Sequence, residues 1–190
     1  MIARASLSLL ASVVLLVSAA CEPETAPPPG APRTTSATST FTLADTFGAL
    51  RAIHAAEVEQ GMLAQKKATD PRIKAFAESV VADHHERMDR DDQLMRTLRV
   101  KAKESRVSAW IRTVSARRVE RLEALSGSDF DHAYLEEQIN YCRAVLDTFD
   151  KDLSSNVRNP QLEANLAEAR DRASNQLREV QDLRAALARP

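Results

Sequence analysis

The run Phe130-Asp131-His132-Ala133-Tyr134-Leu135-Glu136-Glu137-Gln138-Ile139-Asn140-Tyr141-Cys142-Arg143-Ala144-Val145-Leu146-Asp147-Thr148-Phe149-Asp150-Lys151-Asp152-Leu153 decides the fold. Within it Leu135, Ile139, Cys142, Leu146, Phe149 and Leu153 advance by four and three residues. That spacing puts side chains on one face of an α-helix. Phe130, Tyr134, Tyr141 and Val145 widen the stripe. A long apolar seam of this kind has to be covered by other helices. On the N-terminal side Gly127 stops a preceding helix, and Ser128 or Asp129 is the expected cap of this one. On the C-terminal side Asn159-Pro160 opens another helix, predicted to about Leu187, with Leu162, Leu166, Ala169, Ala173, Leu177, Val180 and Leu183 along it.

Three more helices are predicted upstream. The first runs from about Leu43 to Ala68 and ends at Thr69-Asp70-Pro71, where Asp70 is a good N-cap and Pro71 suits the first helical position. The second continues from Pro71 to about Lys103, with Ile73, Phe76, Val80, His84, Met88, Met95 and Leu98 roughly along one side. A shorter third, about Val107 to Leu125, carries Val107, Ile111, Val114 and Leu122. Few glycines and aromatics, many Ala, Leu, Arg and Glu, and no strand-like alternation point the same way. The expected fold is all-α: a four-helix bundle, up-and-down antiparallel, with an extra shorter helix between the second and third long helices.

Residues 1–20 read as a signal peptide. Arg4 is the only charge, Ala5 to Ala20 is apolar or small, and the run is short for a membrane span. Its exit, Leu16-Val17-Ser18-Ala19-Ala20-Cys21, resembles the lipobox of bacterial lipoproteins, which implies lipid attachment at Cys21. Ser18 stands where the lipobox usually has Leu, so ordinary signal cleavage at the same bond is the alternative. Residues 21–40 hold five prolines and a Thr/Ser run, too few large apolar groups to offset the entropy of ordering. They are expected to be a disordered tether. Residues 41–190 form one domain by size, long enough to bury roughly two thirds of its unfolded surface.

Loss of the leader leaves 25 basic against 27 acidic residues, a formal charge of −2 that gives no reason to expect nucleic acid as a partner. Cys142 then stands alone in an apolar seam, which predicts a packed, inert thiol and no internal disulfide. Nine Lys or Arg lie between Arg96 and Arg121, against only Glu104 and Glu120, whereas the segment from Asp129 to Asp152 is acid-rich. Either the two segments complement each other within the bundle, or the basic one meets anionic lipid or another envelope polymer.

Several short runs occur in a familiar order: Glu57-Val58, Gly61-Met62-Leu63-Ala64, Lys67-Ala68, Pro71, Lys74-Ala75-Phe76-Ala77 and Asp83-His84. Ser126-Gly127, Phe130-Asp131, Ala133-Tyr134 and Gln138-Ile139 follow. Together they resemble the ferritin-like family called domain of unknown function 4142, whose members are commonly labelled outer-membrane proteins. The resemblance covers most of Phe41 to Leu187. It implies an envelope-located four-helix bundle and no established activity. The family's Asp-His of the second helix is kept as Asp83-His84. Its fourth-helix Asp-His falls on Tyr141-Cys142, and its last-helix His falls on Gln176.

Ferritin-like di-iron centres need a carboxylate from each of two helices and Glu-x-x-His from each of the other two. The second helix does not supply that motif, since Glu78 is six residues before His84. Glu57 and His84 are the candidates that can meet, and His54, three residues before Glu57, shares its helical face. These three are the candidate metal ligands, for iron, manganese or zinc. The competing expectation is a buried hydrogen-bonded pair of Glu57 and His84 that fixes helix register. His85 points about 100° away from His84 and does not join it. No Gly-x-Ser-x-Gly, His-Glu-x-x-His or Gly-rich phosphate loop occurs. The expectation is therefore a non-enzymatic protein without a cofactor, lipid-anchored in the cell envelope with its domain in the periplasm, the outer membrane favoured. Its expected partners are the membrane, through Cys21, and an envelope protein or anionic polymer.

Overall fold

Helix α1 (Leu43–Lys67) opens on a complete capping box: the Thr42 hydroxyl accepts from the Asp45 N–H, and the Asp45 carboxylate accepts from the Thr42 N–H. The computed structural model describes residues 41–154 and 157–187, so the expected signal peptide and tether, including Cys21, lie outside the described residues. Four more helices follow: α2 (Pro71–Leu98), α3 (Arg106–Glu123), α4 (Gly127–Thr148) and α5 (Pro160–Leu187). A single π-type turn, Phe149–Leu153, closes α4. Among the described residues there is no strand, and the chain is an all-α helical bundle.

Contacts between the elements fix their directions. His54 meets Asp91 while Gln65 meets Ala77, so α2 runs against α1. Arg90 meets Glu168 while His84 meets Gln176, so α5 runs against α2. Arg170 meets Asp150 while Arg184 meets Glu136, so α4 and α5 are antiparallel as well. Helices α2 and α4 therefore point the same way, and the chain must be carried back between them. The shorter helix α3 does this. It runs parallel to α1, tied at one end by Lys103 N–H to the Ala44 carbonyl (2.8 Å) and at the other by Lys67 Nζ to the Glu123 carbonyl (2.6 Å). What the pattern suggested as an extra helix is thus a crossover between two long helices of the same direction, so the four long helices run up, down, down and up and not in the strictly alternating order expected.

This arrangement surrounds the first half of α1. Residues 45–50 are all buried, with α2 and α3 the helices packed most extensively on α1. Helices buried all round lack an amphipathic stripe. Small side chains make room: at Gly48 the Lys103 carbonyl oxygen lies 1.9 Å from where a Cβ would be. The core has two apolar parts, one around Phe47, Leu50, Ile53, Phe149 and Leu166, the other around Ile73, Phe76, Phe130, Tyr134 and Ile139.

Two boundaries differ from expectation. Helix α2 ends at Leu98 and not near Lys103, because Arg99 takes the left-handed conformation (φ 54°) and Val100 N–H turns back to the Met95 carbonyl. The freed segment tucks Val100 and Ala102 against the core. Helix α4 starts at Gly127, itself at φ 60°, with Ser126 in the N-cap position, so neither Ser128 nor Asp129 caps it. Asp131 instead serves the neighbouring corner. Its carboxylate accepts from the Thr69 N–H (2.9 Å), the Thr69 hydroxyl (2.5 Å) and the Asp70 N–H (3.0 Å). Asp131→Ala strands two amide donors at the α1–α2 turn, and is expected to cost about 2–3 kcal/mol in urea unfolding. Asp131→Asn, which keeps an acceptor, should recover part of that loss.

Candidate functional site: a polar chamber between four helices

Midway along the bundle the apolar core is interrupted by polar side chains from α1, α2, α4 and α5. Helix α1 contributes His54 and Glu57, three residues apart on one face, at 3% and 2% exposure. Helix α2 contributes His84 and, seven residues on, Asp91, both buried. Helix α4 adds Gln138 and Cys142, and α5 adds Asn165 and Gln176. His54, Glu57, His84, Cys142 and Gln176 line one cavity of about 20 Å³, room for a water or two. Asp83 forms its outer rim, bonded to Arg87 Nε (2.8 Å) and to Arg172 Nη1 (2.7 Å). Beyond that rim an open groove between α2 and α5 is lined by Ser79, Asn175 and Glu179.

The polar groups form one continuous chain. Asn165 Nδ2 donates to Asp91 Oδ1 (2.8 Å), and Asp91 Oδ2 meets His54 Nε2 at 3.2 Å. His54 Nδ1 and His84 Nδ1 are 2.9 Å apart. His84 Nε2 faces Gln176 Oε1 at 3.4 Å. Gln176 Nε2 donates to Glu57 Oε1 (3.1 Å) and to Gln138 Oε1 (3.2 Å). Those two acceptors orient the Gln176 amide, so its carbonyl faces His84 and the His84 proton must sit on Nε2. His84 Nδ1 then accepts, and His54 Nδ1 must carry the proton between the rings. The Asp91–His54 pair consequently holds two protons, either as carboxylate and imidazolium or as acid and neutral ring. Both forms are neutral overall, which suits burial.

Burial governs the electrostatics. It pushes the His84 imidazole down to about 3, with the neighbouring His54 adding to the effect, so this ring is neutral as the hydrogen bonds require. Burial pushes Glu57 up to about 7, against the nearby Gln138 amide, the hydrogen bond from Gln176 and the charge of Arg118. Glu57 Oε2 has no hydrogen-bond partner, nor has Gln138 Nε2. Cys142 is 1% exposed and burial holds its thiol well above the ordinary range, the inert state expected of it. Tyr141 donates to the Ile53 carbonyl (3.2 Å), while its ring stacks under the Arg118 guanidinium.

All three expected metal ligands, His54, Glu57 and His84, therefore reach one chamber, and His85 is exposed. Their arrangement is not a ligand set as it stands. The two imidazoles direct their Nδ1 atoms at each other, and among the described residues no three His, Cys, Asp or Glu side chains are placed to hold an ion. Glu57 and His84 do not form the direct pair either, for Gln176 bridges them. Gln138, Asp91 and Asn165 were not singled out from the sequence. Of these, Asp91 carries a signal, its seven-residue spacing from His84 on the same helical face.

The family profile described as Domain of unknown function (DUF4142) matches residues 26–183. The chain belongs to this family. No curated protein and no solved structure matches it. The DUF4142 match begins before the first described helix and reaches into the last turns of α5, so it takes in every element that lines the chamber. The basic and acidic segments of this DUF4142 chain meet in part: Arg118 Nε and Arg121 Nη2 on α3 bind the two oxygens of Glu137 on α4, at 3.2 and 2.5 Å.

Proposed function

We propose that this chain is an exported, lipid-anchored protein of the cell envelope whose helical bundle works in the periplasm by binding or structural support and not by catalysis. The observation that carries the non-catalytic part is the chamber. The imidazoles of His54 and His84, the Glu57 carboxyl and the Cys142 thiol line only about 20 Å³, far too little for an organic substrate, and the adjoining groove is lined by Asp83 and Gln176 but by none of these four groups. The helix-to-helix chain of hydrogen bonds gives these polar groups a role in fixing the register of four helices. Export and anchoring rest on the leader, on Cys21 at its exit and on the proline-rich stretch that follows. Glu22 after Cys21 favours the outer membrane by resemblance to sorted lipoproteins. Mass spectrometry of the protein from a bacterial envelope is expected to show an N-terminal, acylated Cys21. An unmodified Cys21 at the N-terminus would mean a soluble periplasmic protein, and an intact Met1 would overturn export.

A second reading is a ferritin-like protein holding iron, manganese or zinc through Glu57, His84 and His54. One feature favours it: three donor side chains share a chamber in which Glu57 Oε2 is unpartnered. Binding would have to displace the proton between the imidazoles, so affinity would rise with pH. Elemental analysis of the purified chain decides. Stoichiometric metal that disappears in His84→Ala supports this reading, and a metal-free chain that cannot be loaded at pH 8 removes it.

A further inference from the structure

Helix α3 leaves a charged stripe uncovered. Arg106, Trp110 and Arg117 are spaced by four and seven residues, share the outer face of the helix and are all exposed. Trp110 is 51% exposed, and a groove beside it is lined by Val107 and, from α4, Ala144 and Thr148. Around the corner, Arg96, Arg99 and Lys101 are exposed at the end of α2 and in the connector. The other basic groups of this segment have carboxylate partners: Lys103 with Asp45, Arg112 with Glu104, and Arg118 and Arg121 with Glu137. Among the described residues, no carboxylate lies within 4.0 Å of Arg96, Arg99, Lys101, Arg106 or Arg117. Of the acids bordering the groove, Asp147 is paired with Lys151 (2.8 Å), and Asp152 is the other.

The place of this surface gives it a partner. Lys103 N–H binds the Ala44 carbonyl in the first turn of α1, so the basic corner lies at the end of the bundle where the chain enters from residue 41. We infer that the outer face of α3, with the basic corner of α2, docks on an anionic lipid membrane. The inference rests on the envelope reading above, since an anchor at Cys21 would hold this same end of the bundle near a bilayer. Unpaired cations are drawn to anionic headgroups, and a half-exposed tryptophan between arginines settles at the boundary of headgroup and acyl chain. Soluble polyanions reward only the charge.

Trp110 is the single tryptophan of the chain, so its fluorescence reports on this surface directly. The test uses the mature chain, residues 21–190, with Cys21→Ser, which removes any acyl group. Vesicles of phosphatidylcholine with about one third phosphatidylglycerol are compared with phosphatidylcholine alone. Expected are co-sedimentation with the anionic vesicles only, release by high salt, a blue shift of Trp110 emission and quenching by brominated lipid. Arg106→Gln with Arg117→Gln is expected to weaken binding on the order of twentyfold, from about fivefold for each cation lost. No co-sedimentation at low salt, or binding with unchanged Trp110 emission, would overturn the inference. Binding to dextran sulfate but not to vesicles would also overturn it, in favour of a polymer. The quenching measurement needs no substitution at the surface and so does not depend on a variant folding. Mass spectrometry at Cys21 can fail while vesicle binding succeeds, or the reverse, so the anchor and the surface stand or fall separately.

Discussion

Gly48→Ala is expected to destabilise the bundle by about 3 kcal/mol or more, the largest effect of adding a methyl group at any of the three described glycines. The new Cβ would lie 1.9 Å from the Lys103 carbonyl oxygen and 2.9 Å from its carbon. Both are backbone atoms, held by the bond from Lys103 N–H to Ala44, so relief requires moving the whole α2–α3 connector away from α1. That movement would pull Val100 and Ala102 from the core. Other glycines calibrate the result. At Gly61 the closest atom is Val81 Cγ2 at 2.6 Å, which a rotamer change can relieve, with the Ala77 carbonyl at 3.2 Å behind it. Gly127 has open space around it but sits at φ 60°, where alanine pays only the left-handed penalty of about 1–2 kcal/mol. Urea midpoints should place Gly48→Ala below both of the others. A Gly48→Ala protein within about 1 kcal/mol of the parent would mean that α3 does not pack on α1 as described.

The second large effect is a stability profile with two limbs, set by the chamber. The folded-state pKa of Glu57 is raised, from 4.5 to about 7, so its contribution is full below 4.5 and is lost as pH climbs through 7. That loss is on the order of 3 kcal/mol, the group being wholly buried. His84 is depressed, from 6.5 to about 3. Its unfolded form takes up a proton below 6.5 that the folded form refuses, so stability is present above 6.5 and falls away towards 3, by on the order of 4–5 kcal/mol. Between 4.5 and 6.5 the two slopes oppose each other and should cancel. The expected profile is a plateau there, with a decline on each side. Glu57→Gln should abolish the decline towards pH 7 and leave the acid limb. His84→Gln should do the converse and expose the slope of Glu57 from 4.5 upwards. An unchanged profile in Glu57→Gln, followed by chemical denaturation at each pH, would show that this carboxyl is solvated. The absolute stability of Glu57→Gln is the weaker readout, because the added amide places a donor where Oε2 has no partner.

Much of the fold follows from local chemistry. Asp70 caps α2 through the Arg72 N–H, with Pro71 at its first position, and Asn159 Oδ1 accepts from the Leu162 N–H at the start of α5. These are short-range signals, and α2 and α5 begin where they predict. The apolar spacing of α4 likewise foretold Leu135, Ile139, Cys142, Phe149 and Leu153 as core, each at most 2% exposed, although Leu146 of the same stripe is only half-buried. It also foretold His84 turned inward and His85 outward. In all these cases the deciding interaction lies within a few residues along one helix.

What the tertiary structure alone decided involves partners brought from elsewhere in the chain. The end of α2 at Leu98 carries no glycine or proline, and it stops there because Val100 and Ala102 find apolar cover and Lys103 finds Ala44. The return path of α3 along α1 has no local signature, since the same amphipathic stripe could lie on any neighbouring groove. The chamber is the clearest instance. Gln138, Gln176, Asp91 and Asn165 are polar helix residues of kinds that usually face water, and apart from the spacing of Asp91 from His84 nothing in their residue types marks them as buried. Only when four helices meet do their donors and acceptors find one another, and the mutual hydrogen bonding that makes their burial affordable exists nowhere but in the assembled bundle.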